Sequence, residues 1–150
     1  QKIYNTDEQI VAGNLILDPY IKGNVVEEWI NSGWVKHCHA RSAIPNNPLN
    51  IYGKHPDGTL GRGIQYPFKK PNNDEYHSLW EEKLLDPWKV CILKLMKYHA
   101  QDPKSKLGQI STEFIPNTDY GEGCKYSLFE QGVECTKWMR NNWEKIKTET

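Results

Sequence analysis

Residues 42–74 are punctuated by Pro45, Pro48, Pro56, Pro67 and Pro71 and by Gly53, Gly58, Gly61 and Gly63. Proline removes a backbone donor and fixes φ, and glycine favours conformations that regular elements do not use, so no long helix or strand can cross this stretch. Asn46-Asn47-Pro48, Pro56-Asp57-Gly58 and Gly61-Arg62-Gly63 read as local turns. Regular structure must come from the two flanks. A connection this long inside a compact domain is functional or disordered.

On the N-terminal side, Ile21, Val25, Val26, Trp29 and Ile30 form an apolar stripe at helical spacing, predicting a helix over 19–32 that stops at Gly33. It leads into residues 34–41, Trp-Val-Lys-His-Cys-His-Ala-Arg, read as a strand. Side chains two apart on a strand share a face, so His37, His39 and Arg41 project together. On the C-terminal side, Leu79, Trp80, Leu84, Leu85, Trp88, Cys91, Ile92, Leu95, Met96 and Tyr98 recur at spacings of three and four across 75–101, predicting two helices or one helix kinked at Asp86-Pro87. A second strand over 108–116 places Gln109, Ser111 and Glu113 on one face and Ile110, Thr112 and Phe114 on the other. A loop over 117–125 and a helix over 126–147 complete the chain. Alternating helices and strands predict an α/β fold with parallel strands, whose functional groups gather at the strands' C-terminal ends. Both polar clusters and both long loops lie at those ends, and no linker divides the 150 residues into two domains.

Charge narrows the partners. Lys plus Arg and Asp plus Glu both number 19, so no net field favours nucleic acid or an acidic membrane. No apolar run of 18 residues and no basic-then-apolar leader is present, which predicts neither a membrane span nor a signal peptide. Cys38, Cys91, Cys124 and Cys135 form no Cys-x-x-Cys pair and no Asn-x-Ser/Thr sequon accompanies them, so reduced thiols in the cytoplasm are expected. Trp80, Trp88, Tyr98, Trp138 and Trp143 are read as helix-to-sheet packing, and Gly61-Arg62-Gly63 lacks the strand-to-helix setting of a phosphate loop.

Two imidazoles on one strand can ligate a divalent metal, a guanidinium beside them can hold an anionic oxygen, and a strand-borne carboxylate can complete the cluster. The plainer alternative is a pair of hydrogen-bonded structural histidines and a surface carboxylate paired to a lysine. The jelly-roll metal pattern expects a carboxylate soon after His-x-His, and Arg41 to Pro45 supply none; Arg41 and Ser42 likewise break the His-x-His-x-Asp-His hydrolase pattern.

Strand-borne His37-x-His39-Ala40-Arg41, the Gly63-Ile64-Gln65 stretch, the Trp-bearing helix, and Thr112-Glu113-Phe114 before a Trp-containing last helix together resemble the xylose isomerase-like TIM barrels, and more closely the sugar phosphate isomerase/epimerase branch. The resemblance covers residues 16–143. It implies a partial (β/α)8 barrel, about the last two strands with three helices and long strand-to-helix loops, in a chain that is the C-terminal part of one barrel domain and lacks its N-terminal part; a start at Gln1 agrees with that expectation. The family holds a divalent cation with a Glu, an Asp, a His and a final Glu. By position, the resemblance implies His39 as the ligand histidine, Arg41 as the cation after it and Glu113 as the final carboxylate and acid/base. His37 is implied as a substrate-side neighbour or a group behind the ligand, or as exchanging roles with His39. The first Glu and the Asp have no counterpart here.

The implied function is a metal-dependent (Mn, Mg, Co or Zn) isomerase or epimerase of a sugar or sugar phosphate, acting in carbohydrate metabolism through an enediolate. In isolation the segment is expected to be weak or inactive. The alternatives are a non-catalytic α/β interaction module and an abasic-site endonuclease on the same scaffold, the latter disfavoured by neutral charge.

Overall fold

Asn24 begins the first helix by accepting a hydrogen bond from the Glu27 N–H at 2.9 Å, and α1 runs only over Val25–Asn31 in the computed structural model, which describes residues 9, 12, 14–44 and 48–149. The helix predicted over 19–32 is therefore shorter. Residues 19–23 form turns, with Asp18 Oδ1 accepting from the Tyr20 N–H and Gly23 at φ +83°, a left-handed residue that a helix cannot continue through. Gly33, at φ +73°, ends it as expected. Gln1 and the Pro45-Asn46-Asn47 segment lie outside the described residues.

Strand β1, His37–Ala40, pairs in parallel with β4, Gln109–Thr112, in the register His37↔Gln109, His39↔Ser111 and Ala40↔Thr112. The second strand stops short of its predicted end at 116. Gln65 Oε1 accepts the Ile115 N–H at 2.8 Å, so a side chain takes the donor that a longer ladder would use.

The punctuated stretch carries no long element, but it contains a hairpin that the turn residues alone did not reveal. Strand β2, Asn50–Lys54, pairs antiparallel with β3, Leu60–Gly61. Its tip is the Pro56-Asp57-Gly58 turn: the Gly58 N–H donates to the His55 carbonyl, the His55 N–H to the Thr59 carbonyl, and Asp57 Oδ1 accepts from the Thr59 N–H and hydroxyl.

Helicity predicted from residue 75 begins later. The Tyr66 hydroxyl accepts the Glu81 N–H at 2.6 Å and Trp80 Nε1 donates to the Pro67 carbonyl at 2.7 Å, holding residues 80 and 81 extended on the loop. A 3₁₀ turn, Glu82–Leu85, then passes directly into α2, Asp86–Gln101. Pro87 sits in the first turn, where its missing N–H costs nothing, so it starts the helix instead of kinking one. The last helix, α3, spans Leu128–Glu149 against the predicted 126–147, and the Ser127 hydroxyl accepts the Glu130 N–H at its start.

The described residues thus form a mixed α/β fold of three α-helices and two small two-stranded sheets. Helices α2 and α3 cover the apolar face of the parallel pair. Ala40, Ile92, Met96, Cys135, Met139 and Ile146 are buried there, with Trp88, Trp138 and Trp143 packed against them as predicted, whereas Trp80 packs on the loop core and the Tyr98 hydroxyl donates to the Asn31 carbonyl. A second core of Ile44, Tyr66, Tyr76, Leu85 and Tyr126 lies under the long loop. Buried Gln131 joins loop to helix, accepting the Lys69 N–H at 2.7 Å and donating to the Lys69 carbonyl at 3.1 Å.

Gly61 lets two loops touch, since a Cβ there would stand 1.9 Å from the Thr118 oxygen, and Gly63 lets the long loop fold on itself, since a Cβ there, at φ +60°, would stand 1.8 Å from the Pro48 oxygen. Gly58, at φ +86°, has open space around it. Gly58→Ala is expected to lose about 1 kcal/mol from backbone strain alone, and Gly63→Ala roughly 3 kcal/mol because overpacking is added, as read by urea unfolding. Equal losses would show that residues 48 and 63 do not abut.

Candidate functional site

The period of two on β1 sends Ala40 into the helical core and leaves His37, His39 and Arg41 on the other side. Because β4 runs parallel with Ala40 opposite Thr112, continuing both chains one residue sets Arg41 beside Glu113. His39 Nδ1 lies 3.1 Å from Glu113 Oε2, and an Arg41 terminal nitrogen donates to the same oxygen at 2.5 Å. His37 Nε2 lies 3.0 Å from the Ser111 hydroxyl, and the two imidazoles meet edge to face with centroids 4.6 Å apart. His39, Arg41 and Glu113 come together at the C-terminal ends of adjacent parallel strands, whereas His37, the first residue of β1, shares their face but bonds Ser111 and reaches the group only through the His39 ring.

The cluster grades from wet to dry. The His39 side chain is 58% exposed, that of Glu113 31% and that of Arg41 19%. The Arg41 guanidinium carbon lies 4.2 Å from the centroid of the Tyr120 ring, and its Nε is buried without a hydrogen-bond partner. A charge-assisted bond beside an aromatic plate orients the Glu113 carboxylate. An ionised carboxylate only accepts, so the proton between the two belongs to His39 Nδ1, and the lone pair of that ring is then on Nε2. Carboxylate–histidine pairs of this kind make the imidazole a better ligand or base.

His39 can therefore offer Nε2 to a first-row divalent cation, with Glu113 behind the ring on Nδ1 and not beside Nε2 on the same ion. Among the described residues no group of three or more His, Cys, Asp or Glu side chains could hold a metal ion, so further ligands would be water, substrate or groups beyond the described residues. The four cysteines are free, and burial disfavours their thiolates, pushing Cys38 up to about 11 and Cys135 up to about 12, with Cys91 and Cys124 also raised.

A second group of polar residues was not anticipated. Asp119 Oδ1 accepts from His55 Nε2 at 2.8 Å and from the Arg62 N–H at 3.0 Å, and Oδ2 faces Arg62 Nε at 3.2 Å. The Ile64 N–H donates to the Asp119 carbonyl, and buried Asn50 donates through Nδ2 to the carbonyls of Thr118 and Glu122. The hairpin is thereby pinned to the loop that follows Glu113. Gln65 pins the base of the same contact, since besides taking the Ile115 N–H it donates to the Tyr126 hydroxyl at 3.3 Å. Gly61 was the sequence signal for this contact, but Thr118 and Asp119, which meet Gly61 and Arg62, are distant along the chain.

Between the two loops is a cleft of about 410 Å³ lined by His55, Pro116, Asn117, Thr118, Asp119, Tyr120 and Glu122. Two larger cavities, about 530 and 510 Å³, lie along β4 and α3, away from the Glu113 carboxylate. Among the described residues β4 has a neighbour on one side only, and these cavities collect no pair of titratable groups in hydrogen-bond contact.

Comparison with protein-family models, curated proteins and solved structures finds no match. No helix among the described residues is long and apolar enough to cross a membrane.

Burial alone would raise the Asp119 carboxyl, but the Arg62 N–H, the His55 ring and the Arg62 charge together hold it below the usual carboxylate range. A depressed carboxyl stabilises the folded state fully above its unfolded value of 3.8, and that contribution is lost only as pH falls through the folded value beneath it. A carbon-13 carboxyl titration of Asp119 is expected to give a midpoint under 3.8. A midpoint above it would mean that the hairpin is not clamped to this residue.

Proposed function

We propose that this chain carries part of the active site of a metal-dependent sugar isomerase or epimerase, built as the last two strands of a (β/α)8 barrel. The observation that supports it best is the meeting of His39 and Arg41 on one oxygen of Glu113 at the C-terminal ends of parallel neighbours, the end at which barrel enzymes assemble their chemistry. The open edge of β4, bordered by apolar grooves, suits a sheet that continues beyond these two strands.

In this reading Glu113 is the acid/base. Its carboxylate takes the proton from the carbon next to the substrate carbonyl, the C–H electron pair forms the enediolate double bond, and the carbonyl oxygen takes up the negative charge. For isomerisation the same carboxylic acid returns the proton, on the same face, to the former carbonyl carbon, while the neighbouring hydroxyl proton passes to the charged oxygen and its carbon becomes the new carbonyl. Epimerisation takes its proton from a second acid on the opposite face, supplied by the rest of the barrel. Arg41 fixes Glu113 and faces the oxygen that becomes negative. His39 would hold, through Nε2, a cation of the Mn, Mg, Co or Zn type, which would supply Lewis-acid polarisation of the carbonyl, and Glu113 would join it as a ligand only on leaving Nδ1. His37, tied to Ser111, packs against the His39 ring and sets its plane. Four free thiols suit a reducing, cytoplasmic setting.

The second reading is a non-catalytic α/β interaction module. It is favoured by the fact that both strand histidines already have protein hydrogen-bond partners, as structural histidines do. An abasic-site endonuclease fits less well, since the formal charge is zero and the described residues offer no three-ligand group.

Metal titration and turnover of a sugar panel, both on the protein at its full natural length, separate these readings. His39→Ala is expected to weaken metal binding about 10- to 100-fold, and Glu113→Gln to lower kcat about 10²- to 10⁴-fold. Turnover that survives exhaustive chelation, or both substitutions, ends the isomerase reading; absence of any metal binding favours the module.

A further inference from the structure

We propose that His77 is an acid-sensitive latch, which in its neutral form seals residues 72–79 onto the core under the long loop and on gaining a proton releases them.

The imidazole is enclosed without polar company. Its Nδ1 and Nε2 are both closed to solvent and lack a hydrogen-bond partner, and the hydroxyl of adjacent Tyr76 is in the same state. Buried polar side chains nearly always find partners, so two neighbouring orphans mark a place held closed at a cost. The groups around the ring come from four segments. Beside it in sequence, Tyr76 packs with ring centroids 4.3 Å apart, and from β2 the Tyr52 ring meets it edge to face at 6.2 Å. On the long loop a Cβ on Gly63 would stand 3.3 Å from its Cε1, and on the 117–125 loop the Cys124 thiol accepts the His77 N–H. Tyr52, Tyr76 and Cys124 are the titratable groups that face it, and in acid none of them carries a charge that could balance an imidazolium. The Glu75 carboxylate, two residues away, is committed to the Asn72 amide and side chain. A proton on His77 is therefore a buried charge without a partner, which a chain relieves by opening to water.

The segment has little else to keep it shut. At one end the Lys125 N–H donates to the Glu75 carbonyl at 2.9 Å, and at the other the Tyr66 hydroxyl accepts the Glu81 N–H at 2.6 Å. Between these anchors Ser78 and Leu79 face water, which leaves the packing of Tyr76 and His77 to hold the middle. Asp74, at φ +65°, is a non-glycine residue in the left-handed region, a strain that opening relieves. Gln65, two residues beyond Gly63, holds the Ile115 amide just past Glu113, so the latch borders the contact that fixes the end of β4.

Burial lowers the proton affinity of His77, and its own main chain opposes this only in part. The open form takes up its proton at the ordinary value of 6.5 and the closed form at a lower one, so the latch is fully effective above 6.5 and is lost as pH falls from there toward the closed-state value. His55 acts in the opposite sense: a proton gained there faces the Asp119 carboxylate and tightens the hairpin.

Amide hydrogen exchange of the full-length protein, read by mass spectrometry at about pH 7.5 and about pH 5 with intrinsic rates divided out, tests the latch. Protection of residues 72–79 is expected to fall about tenfold more than that of α2 and α3 on acidification. In His77→Phe, which keeps a ring and takes no proton, that extra loss is expected to vanish. Equal protection of the wild-type segment at both pH values, or an extra loss of the same size in His77→Phe, overturns the proposal. Should His77→Phe fail to fold, the proton NMR titration of the wild-type His77 ring decides: a midpoint below 6.5 accompanying the loss of protection upholds the latch, and a midpoint at or above 6.5 overturns it.

Discussion

The parallel pairing of β1 with β4 sets every other relation in the site. Its register places Ala40 opposite Thr112, and one step further along both chains Arg41 and Glu113 become neighbours. The strands are only four residues long, so the ladder is held from its apolar side, where α2 and α3 bury Ala40 among Ile92, Met96, Cys135 and Met139. A slip of one residue would turn Cys38 and Ala40 outward and drive the histidines into that core. The apolar packing therefore determines which face carries the chemistry, although none of its residues touches the polar cluster's charged groups.

The loops above the strands are held by polar contacts to side chains. Gln65, Asn50 and Asp119 each bond to main-chain groups from the opposite loop, and each bond occupies a backbone donor or acceptor that a long loop would otherwise leave to water. Close approach of Gly61 to Thr118 makes these bonds possible. The result is a wall beside Glu113 built from a hairpin and a loop that belong to different strands. Its Tyr120, Gly121 and Glu122 amides turn to the loop's own Asn117 and Ile115 carbonyls, and the Arg62 and Ile64 amides turn to Asp119.

The helical and strand periodicities at Val25–Asn31, His37–Ala40, Asp86–Gln101, Gln109–Thr112 and Leu128–Glu149 were legible because each is a local pattern. Their ends were less so. The first helix is shortened by turn residues acting together, α2 is delayed by a hydroxyl contributed by Tyr66, and β4 is cut off by an amide contributed by Gln65. His37, His39 and Arg41 could be placed on one face from alternation alone, and Glu113 could be named as a strand-end carboxylate. The clamp of His55 and Arg62 on Asp119 could not, because nothing local distinguishes that aspartate from the other acidic residues of the chain.

What the sequence determined by itself was the alternation of apolar and polar positions, and with it the element types, the shared face of the strand histidines and the exclusion of long regular structure from 42–74. Only the tertiary structure decided that the two strands are adjacent and in a register that brings His39 within 3.1 Å of Glu113, and that Asp119 occupies the glycine-flanked loop. The physical reason is range: dihedral preference and periodicity act over a few residues, whereas ladder register and loop docking depend on burial and hydrogen bonds between segments that the chain itself keeps far apart.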